Sequence, residues 1–336
     1  MFDIITFGSA TQDILLKPKH LTMLKYAKQN EPASAEGSGV TREVCFPMGS
    51  KIDIEDMQFN TGGGGTNTAA TFALQGFKTA FCGVIGQDVS GKEIISELKH
   101  FKINTGLVQT TNKKRTNHSV VMLNSGSDRT IMAYRGAAEL MDKNNIPWSK
   151  LKTKWLYLAP LSGLLCDSFE DLVNFAFDKK IKLAVNPGIA QLSLPNFSQI
   201  AKKIDVLIMN QEEASFLTKI PFENEQEIFK KIDDMCNGVV IMTKGGQGVV
   251  VSDGNNMYSA VPPIERTIVD TTGAGDSFAS GFLSEFMRGG DIEKSIQLGM
   301  GNSVGCLSQV GAKNGLLKKE QEFEKVEVKT GIYKLG

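Results

Sequence analysis

The sequence predicts an α/β fold built on a doubly wound, mainly parallel β-sheet. Short runs rich in β-branched and aromatic side chains alternate with segments that repeat apolar residues every three or four positions over most of the 336 residues. Such alternation is typical of strands and helices that wind back and forth across one sheet. The length allows one large domain of this kind or two small ones.

The individual elements can be assigned in chain order, with boundaries good to a few residues. The predicted strands are Asp3–Phe7, Thr79–Val84, Trp155–Leu158, Lys182–Val185, Val206–Met209 and Val239–Thr243. The predicted helices are Thr66–Gln75, Ser90–His100, Ser168–Asp178, Gln211–Leu217, Ala274–Arg288 and Ile292–Gln309.

Two segments interrupt the alternation. Residues 15–60 are rich in Gly, Ser and Pro and are too long for an ordinary connection between a strand and a helix. Residues 118–135 read as a β-hairpin, with strands Ser119–Leu123 and Thr130–Tyr134 around the turn Asn124–Asp128. Together they predict a small β lid over a cleft at the ends of the main strands.

Composition excludes several classes of function. Lys and Arg together number 37, as do Asp and Glu, so the global charge favours neither a nucleic-acid surface nor a membrane surface. No apolar run approaches the length that spans a bilayer. The first residues read as a strand rather than a signal peptide, and the five cysteines are widely spaced, so we expect a cytoplasmic protein.

A phosphate-handling site is indicated at Asp270-Thr-Thr-Gly-Ala-Gly-Asp276, where a glycine turn opens a helix. Gly273 and Gly275 let the backbone approach a ligand, and the first N–H groups of the helix favour an anion. Asp276 lies in the same first turn, where we expect an ionised carboxylate that can accept a hydroxyl proton. Taken alone, the segment is also compatible with an ordinary acidic helix terminus.

A second glycine cluster, Asn60-Thr-Gly-Gly-Gly-Gly-Thr-Asn67, leads directly into a predicted helix. Four consecutive glycines are costly in backbone entropy unless something must approach closely. The backbone amides and the Asn67 side chain suit the hydroxyl groups of a polyol.

Both glycine segments resemble, in order and separation, the two signatures of the ribokinase-like (PfkB) carbohydrate kinase family. The resemblance covers essentially the whole chain and implies a single three-layer ribokinase-like domain over residues 1–336, with the lid at about 15–60 and 118–135. It also implies that Asp276 is the general base and that the amides of Gly273, Ala274 and Gly275 form the anion hole.

The remaining site residues are implied by the same resemblance. The substrate-binding positions are Asp13, Gly62, Gly63 and Asn67. The nucleotide-binding positions are Asn210, Thr243, Gly245, Gly248 and Asn302. Glu213 would organise Mg²⁺ through water, and Asp270 and Thr272 match loops that hold a monovalent cation, K⁺, in many members. ATP and Mg²⁺ are therefore the expected cofactors.

The substrate stays open between two classes. Gly64 occupies the position where several sugar kinases of the family carry a lysine, and residues 15–60 approach the length seen in adenosine kinase-like members. A ribose- or fructose-like sugar, phosphorylated on a hydroxymethyl group, is the first expectation. A nucleoside is the alternative, with Phe46 and Tyr134 as candidate walls for the base. A third possibility is a non-catalytic sugar or nucleotide sensor that keeps the fold. It is disfavoured because a sensor has no need of a general base such as Asp276. The exposed lid strands would pair in a homodimer.

Overall fold

The computed structural model describes residues 1–19, 22–27, 40–123 and 129–332. Within them, ten strands form one sheet in the order β16, β15, β14, β13, β12, β11, β10, β1, β6, β7. These strands are β1 Phe2–Phe7, β6 Thr79–Gly86, β7 Asn104–Thr111, β10 Thr153–Leu158, β11 Lys182–Val185, β12 Val206–Asn210, β13 Val239–Thr243, β14 Val249–Ser252, β15 Asn256–Ala260 and β16 Val328–Ile332.

The sheet is parallel from β7 to β13 and antiparallel from β13 to β16. The predicted doubly wound, mainly parallel sheet is confirmed. The antiparallel edge was not predicted. Strands β14 and β15 follow tight turns and so lack the helix that marks a crossover, and β16 is separated from β15 by two helices and a long irregular stretch.

Helices cover both faces of this sheet. They are α1 Gly64–Leu74, α2 Val89–His100, α3 Leu164–Asp167, α4 Phe169–Asp178, α5 Ile189–Leu192, α6 Phe197–Ala201, α7 Gln211–Thr218, α8 Glu225–Asp233, α9 Ala274–Gly289 and α10 Ile292–Leu307. None of the helices in the described ranges combines the length and hydrophobicity that crossing a bilayer requires.

Two apolar cores separate the three layers. Alternate side chains of β1 face opposite sides: Ile5 and Phe7 join the core under α3 to α8, whereas Ile4 joins the core with α1, α9 and α10. This alternation follows from the two-residue period of a strand. Both faces of the central strands are therefore buried, which explains their almost continuously apolar sequence.

A second, four-stranded sheet lies beside the main one. Its order is β5, β2, β8, β9, formed by β5 Ile54–Gly62, β2 Thr11–Pro18, β8 Asn117–Leu123 and β9 Arg129–Tyr134. The predicted hairpin at 118–135 is confirmed as the antiparallel pair of β8 and β9, although its turn at 124–128 lies outside the described residues. The long segment 15–60 contributes β2 and β5 and, between them, a hairpin of β3 Thr22–Ala27 and β4 Val40–Cys45.

The helix after the first glycine run begins two residues earlier than predicted. Gly63, with φ of 96°, caps α1, and its carbonyl accepts from the N–H groups of Thr66 and Asn67. Gly64 and Gly65 are therefore helical, against their low propensity. A Cβ on Gly65 would lie 2.6 Å from Phe81 Cε2, so packing of the helix against the sheet requires glycine there.

Candidate active site

The site forms where several parallel strands end. Backbone segments after β1, at the start of α1 and after β10 meet so closely that a Cβ on Gly8 would lie 2.8 Å from Gly65 N and 2.9 Å from Ala159 Cβ. A Cβ on Gly64 would lie 3.4 Å from Asp276 Oδ1. The two glycine segments of the sequence are therefore adjacent, at the carboxyl edge where open α/β sheets bind ligands.

The second glycine segment forms the amino end of α9. Gly273 adopts a left-handed conformation, φ of 78°, and a Cβ there would lie 2.5 Å from Ala312 Cβ. Ala274 N makes only a long bond of 3.4 Å to Thr271 O, and the N–H groups of Gly275 and Asp276 have no partner within the described ranges. Open donors at the positive end of a helix suit a phosphoryl oxygen.

Asp276 lies in the first turn of α9 and is partly exposed. Its Oδ2 accepts a hydrogen bond from Asn67 Nδ2 at 2.8 Å. Burial raises the pKa of Asp276, while the hydrogen bond from Asn67 and the charge of Lys313 act in the opposite direction. A raised pKa makes the carboxylate a better acceptor for a hydroxyl proton.

Asp13, on β2, is the second acidic group of the site and is 8% exposed. Burial raises the pKa of Asp13 to about 6, in spite of a hydrogen bond with Ser119 and the charge of Lys313, which lower it. Asp13 pairs with Asn60 in the four-stranded sheet, and a Cβ on Gly62 would overlap Asp13 Oδ2. The glycine at position 62 therefore makes room for this carboxylate.

Three buried polar atoms around Asp13 and Asn67 lack a hydrogen-bond partner within the described ranges. They are Gln12 Oε1, Asn60 Nδ2 and Asn67 Oδ1. Buried donors and acceptors are nearly always paired, since an unpaired one costs about 1–3 kcal/mol. Such a cluster is typical of a site that completes its hydrogen bonds with a polar ligand.

Lys313 was not predicted as a site residue. Its side chain is 4% exposed, and its Nζ donates to Thr61 Oγ1 and to Glu97 Oε2, each at 2.6 Å. Thr61 Oγ1 also donates to Glu97 Oε2. A lysine in a polar loop after the last long helix carries no sequence signal of burial. Ser119, hidden in an alternating strand, was missed for the same reason.

Asn210 and Glu213 begin α7, one strand away from Thr243. Asn210 Oδ1 accepts from Glu213 N at 2.8 Å, and Glu213 Oε2 accepts from Asn210 N at 2.9 Å, which is a reciprocal capping box. Asn210 at the end of β12 stands opposite Thr243 at the end of β13. Burial raises the pKa of Glu213, against the hydrogen bond from Asn210 N. Glu213 Oε1 has no partner in the described part of the chain.

The turn from Lys244 to Gly248 joins the antiparallel strands β13 and β14. Gly245 and Gly248 both have positive φ, 54° and 94°. The structure thus brings four of the five predicted nucleotide positions to neighbouring strand ends.

Asn302, the fifth, is instead fully buried in α10. Its Nδ2 donates to Ser277 O at 2.7 Å and to Thr71 Oγ1 at 3.2 Å, and its Oδ1 accepts from Leu317 N at 2.8 Å. The amide therefore ties α9, α1 and the chain after α10 together, with no exposed atom.

Asp270 is buried just before the turn that begins α9. Its Oδ1 accepts from Thr272 N at 2.9 Å and from Thr272 Oγ1 at 2.7 Å, and its Oδ2 accepts from Gly311 N at 2.9 Å. These bonds fasten the turn that begins α9 to the loop after α10. A monovalent cation at Asp270 and Thr272 stays a prediction.

Comparison with known proteins agrees with this geometry. The family model described as pfkB family carbohydrate kinase matches residues 39–319. The ribokinase of Haemophilus influenzae is 25% identical over 83% of this chain and 91% of its own length. The cytidine kinase of Thermococcus kodakarensis is also 25% identical, over 80% of this chain and 93% of its own length.

A solved structure supports the fold independently of sequence. The crystal structure of ribokinase from Thermotoga maritima superposes with a TM-score of 0.74, covering 95% of this chain and 97% of that one, at 22% identity. The ribokinase-like fold predicted from the two glycine motifs is thereby confirmed. The chain belongs to the PfkB family of carbohydrate kinases and is a phosphotransferase that uses an alcohol group as acceptor.

Proposed function

We propose that this protein transfers the γ-phosphoryl group of ATP to a hydroxymethyl group of a small, ribose- or fructose-like sugar. The observation that carries the proposal is the arrangement around Asp276. Its carboxylate accepts a hydrogen bond from Asn67 at 2.8 Å and lies next to N–H groups at the start of α9 that have no partner among the described residues. A proton acceptor and an anion site thus share one helical turn, and phosphoryl transfer to an alcohol requires both.

The residues divide the reaction between them. Asp276 orients the acceptor hydroxyl and takes its proton as the oxygen forms a bond to the γ-phosphorus; the bond from that phosphorus to the β,γ-bridging oxygen breaks, and ADP leaves. The N–H groups of Gly273, Ala274 and Gly275 bind the charge on the phosphoryl oxygens during transfer. Positioning and charge stabilisation supply most of the rate in such reactions.

The nucleotide would lie along the ends of β12 and β13, against Asn210, Thr243, Gly245 and Gly248. Glu213 fits Mg²⁺, because its Oε1 has no hydrogen-bond partner in the described residues while its Oε2 is fixed by Asn210 N. When bound, Mg²⁺ neutralises phosphate charge, and it is usually held through water by one or two carboxylates. Asp270 and Thr272 are the proposed neighbours of a monovalent cation.

Asp13, Gly62, Gly63 and Asn67 are the proposed acceptor-binding residues. An ionised Asp13 accepts bonds from two hydroxyl groups, and Gly62 leaves the space that this carboxylate occupies. The unpaired atoms Gln12 Oε1, Asn60 Nδ2 and Asn67 Oδ1 support a ligand with several hydroxyls. A polyol satisfies all of them more readily than a flat apolar ligand does.

A nucleoside is the second candidate, favoured by aromatic side chains on the small sheet and its connections. Phe46, Phe59 and Tyr134 are 42%, 58% and 49% exposed, which leaves ring faces for a base to stack on.

With either substrate, the four-stranded sheet would act as a lid within a single domain. Its edge strands, β5 and β9, have no further partner strand in the described residues, and we propose that they pair in a homodimer.

The test is an ADP-release assay with ATP and a panel of pentoses, hexoses and nucleosides. We expect turnover with a furanose-forming sugar, and Asp276→Asn to lower it by about 10²–10⁴-fold, the usual contribution of a general base. ATP binding, measured by calorimetry, should survive the substitution. A preference for a nucleoside over every sugar would replace the first candidate by the second, and normal turnover of Asp276→Asn would remove Asp276 from its role.

A further inference from the structure

A lysine, Lys313, is buried beside the acceptor site although no motif predicts it. It follows the loop that Asp270 holds at Gly311, and it reaches Thr61 at the end of β5 and Glu97 on α2. Lysine is almost never fully buried without a partner. Here the partner is the Glu97 carboxylate, whose side chain is 29% exposed. Solvent therefore reaches Glu97, whereas Lys313 is enclosed by protein.

Lys313 affects the charge of both acidic groups of the site, Asp13 and Asp276. Its charge acts on Asp13 and on Asp276, and Glu97 and Asp270 add like charges around Asp13. Three carboxylates, those of Glu97, Asp13 and Asp276, thus act on one enclosed cation. An anionic phosphoryl group must approach Asp276 during transfer, and each uncompensated negative charge nearby opposes that approach.

The glycine run cannot supply this cation. Gly64 lies against Asp276, and a Cβ there would already be 3.0 Å from Ala159 Cβ and 3.4 Å from Asp276 Oδ1. Lys313, from another segment, places a positive charge close enough to act on both Asp13 and Asp276.

Stability alone is a poor reason for this arrangement. Taking a lysine and a carboxylate out of water costs about as much as their attraction returns, and apolar replacements are often neutral or better. Burial lowers the pKa of Lys313, and Glu97 and the acceptor-site carboxylates oppose that shift. The ammonium group donates to two oxygens, and its third proton has no partner in the described part of the chain.

We propose that Lys313 is a positioning residue of the acceptor site. Through its bonds to Thr61 and Glu97 it fixes the end of β5 next to Gly62. Its positive charge also favours the ionised forms of Asp13 and Asp276, which bind and deprotonate the acceptor hydroxyl. This inference rests on the proposed function. It assigns Lys313 to acceptor binding, not to nucleotide binding.

The test compares Lys313→Met, Lys313→Arg and Glu97→Gln, with Lys182→Met as the matched control. Lys182 forms an ion pair of 2.7 Å with Asp205 at the start of β11, at the opposite end of the strand from the site. Steady-state constants for acceptor and ATP are measured from pH 5 to 9, with acceptor binding without ATP followed by calorimetry.

Lys313→Met should raise the acceptor KM and the acceptor Kd at least ten-fold while the ATP KM changes less than two-fold. It should also move the acid limb of kcat/KM for the acceptor to higher pH, because the lost charge had favoured the ionised carboxylates. Glu97→Gln should move that limb to lower pH, because burial raises the pKa of Asp13 and the negative charge of Glu97 raises it further. Lys313→Arg should keep the limb in place, and Lys182→Met should change nothing.

Opposite shifts in the two variants are the outcome that a merely structural pair does not produce. If Lys313→Met fails to fold, Glu97→Gln and Lys313→Arg still decide the direction of the shift. Active wild-type protein with an unchanged acceptor KM and acid limb in all three variants overturns the role of Lys313 and leaves the proposed function intact. A wild-type protein that phosphorylates no acceptor in the panel overturns the proposed function itself.

Discussion

Asn67 Nδ2 donates to Asp276 Oδ2 at 2.8 Å and so joins two motifs that are 209 residues apart in the sequence. Asn67 lies on α1, directly after the first glycine run, and Asp276 lies in the first turn of α9. The bond holds Asp276, the proposed general base, on the side of the site where Asp13 would bind the hydroxyl substrate. The other amide atom, Asn67 Oδ1, is buried and unpaired in the described chain, so it is free for the same ligand.

Asn67→Leu should lower kcat/KM for the acceptor by about 10- to 100-fold, since a hydrogen bond to a charged group contributes about 1.5–3 kcal/mol. The acid limb of the pH profile should move to higher pH, because the lost bond favoured the ionised form of Asp276. In the Asp276→Asn background the same change should have little further effect on kcat, because the bond that couples the two residues acts through the Asp276 carboxylate. Full additivity of the two substitutions would contradict the coupling.

Acceptor binding should depend on the ionisation of Asp13, whose pKa burial raises to about 6. As pH rises through this value, the carboxylate forms and the acceptor KM should fall, with the ATP KM unchanged. Asp13→Asn should flatten this dependence and raise the acceptor KM. An acceptor KM that stays constant from pH 5 to 8 in the wild type would exclude Asp13 from the acceptor site.

The same shift makes a prediction about stability. The pKa of Asp13 is higher in the folded protein than the value of about 3.9 for a free Asp. Between these values the folded state binds more protons than the unfolded state, so this group's contribution to the free energy of unfolding falls as pH rises from about 4 to about 6. Asp13→Asn removes that loss. Its Tm relative to wild type should therefore be higher at pH 7 than at pH 4.5.

Glu213→Gln should raise the Mg²⁺ concentration needed for half-maximal activity without unfolding α7. Glutamine keeps the acceptor for Asn210 N and so preserves the capping box, while the charge that would attract Mg²⁺ is lost. Activity should recover as Mg²⁺ is increased, and chelation with EDTA should abolish it in both proteins. Glu212→Gln, on the exposed neighbour, is the control and should behave like wild type.

Asn302→Ala should destabilise the protein rather than weaken nucleotide binding. It leaves the buried Leu317 N–H without its partner and removes one of the bonds to the Ser277 carbonyl, and an unpaired buried group costs about 1–3 kcal/mol. We expect a clearly lower Tm and, below that temperature, a wild-type KM for ATP. A large rise in the ATP KM with an unchanged Tm would instead return Asn302 to the nucleotide site.

The sequence alone was sufficient for the central elements. The strands at Lys182–Val185 and Val239–Thr243 were predicted to the residue, because a parallel strand buried on both faces leaves a continuous apolar run between turn signals. Asp276 and its glycine turn were predictable too, since a helix that begins on Gly-Ala-Gly before a carboxylate carries its chemistry in local order. The antiparallel edge of the sheet was missed, because β14 and β15 follow tight turns without a crossover helix and β16 comes after an irregular stretch that follows α10.

Only the tertiary structure decided which side chains meet. Three pairs of side chains meet although they are far apart in the sequence: Asn67 and Asp276 by 209 residues, Asp13 and Asn60 by 47, and Lys313 and Glu97 by 216. Local sequence patterns carry no information about contacts over such separations. Asn302 shows the same limit in reverse, since its helical position was predictable and its burial was not. Sequence determined the elements and the reacting groups through short-range backbone preference; packing determined the environment that sets their charge and their partners.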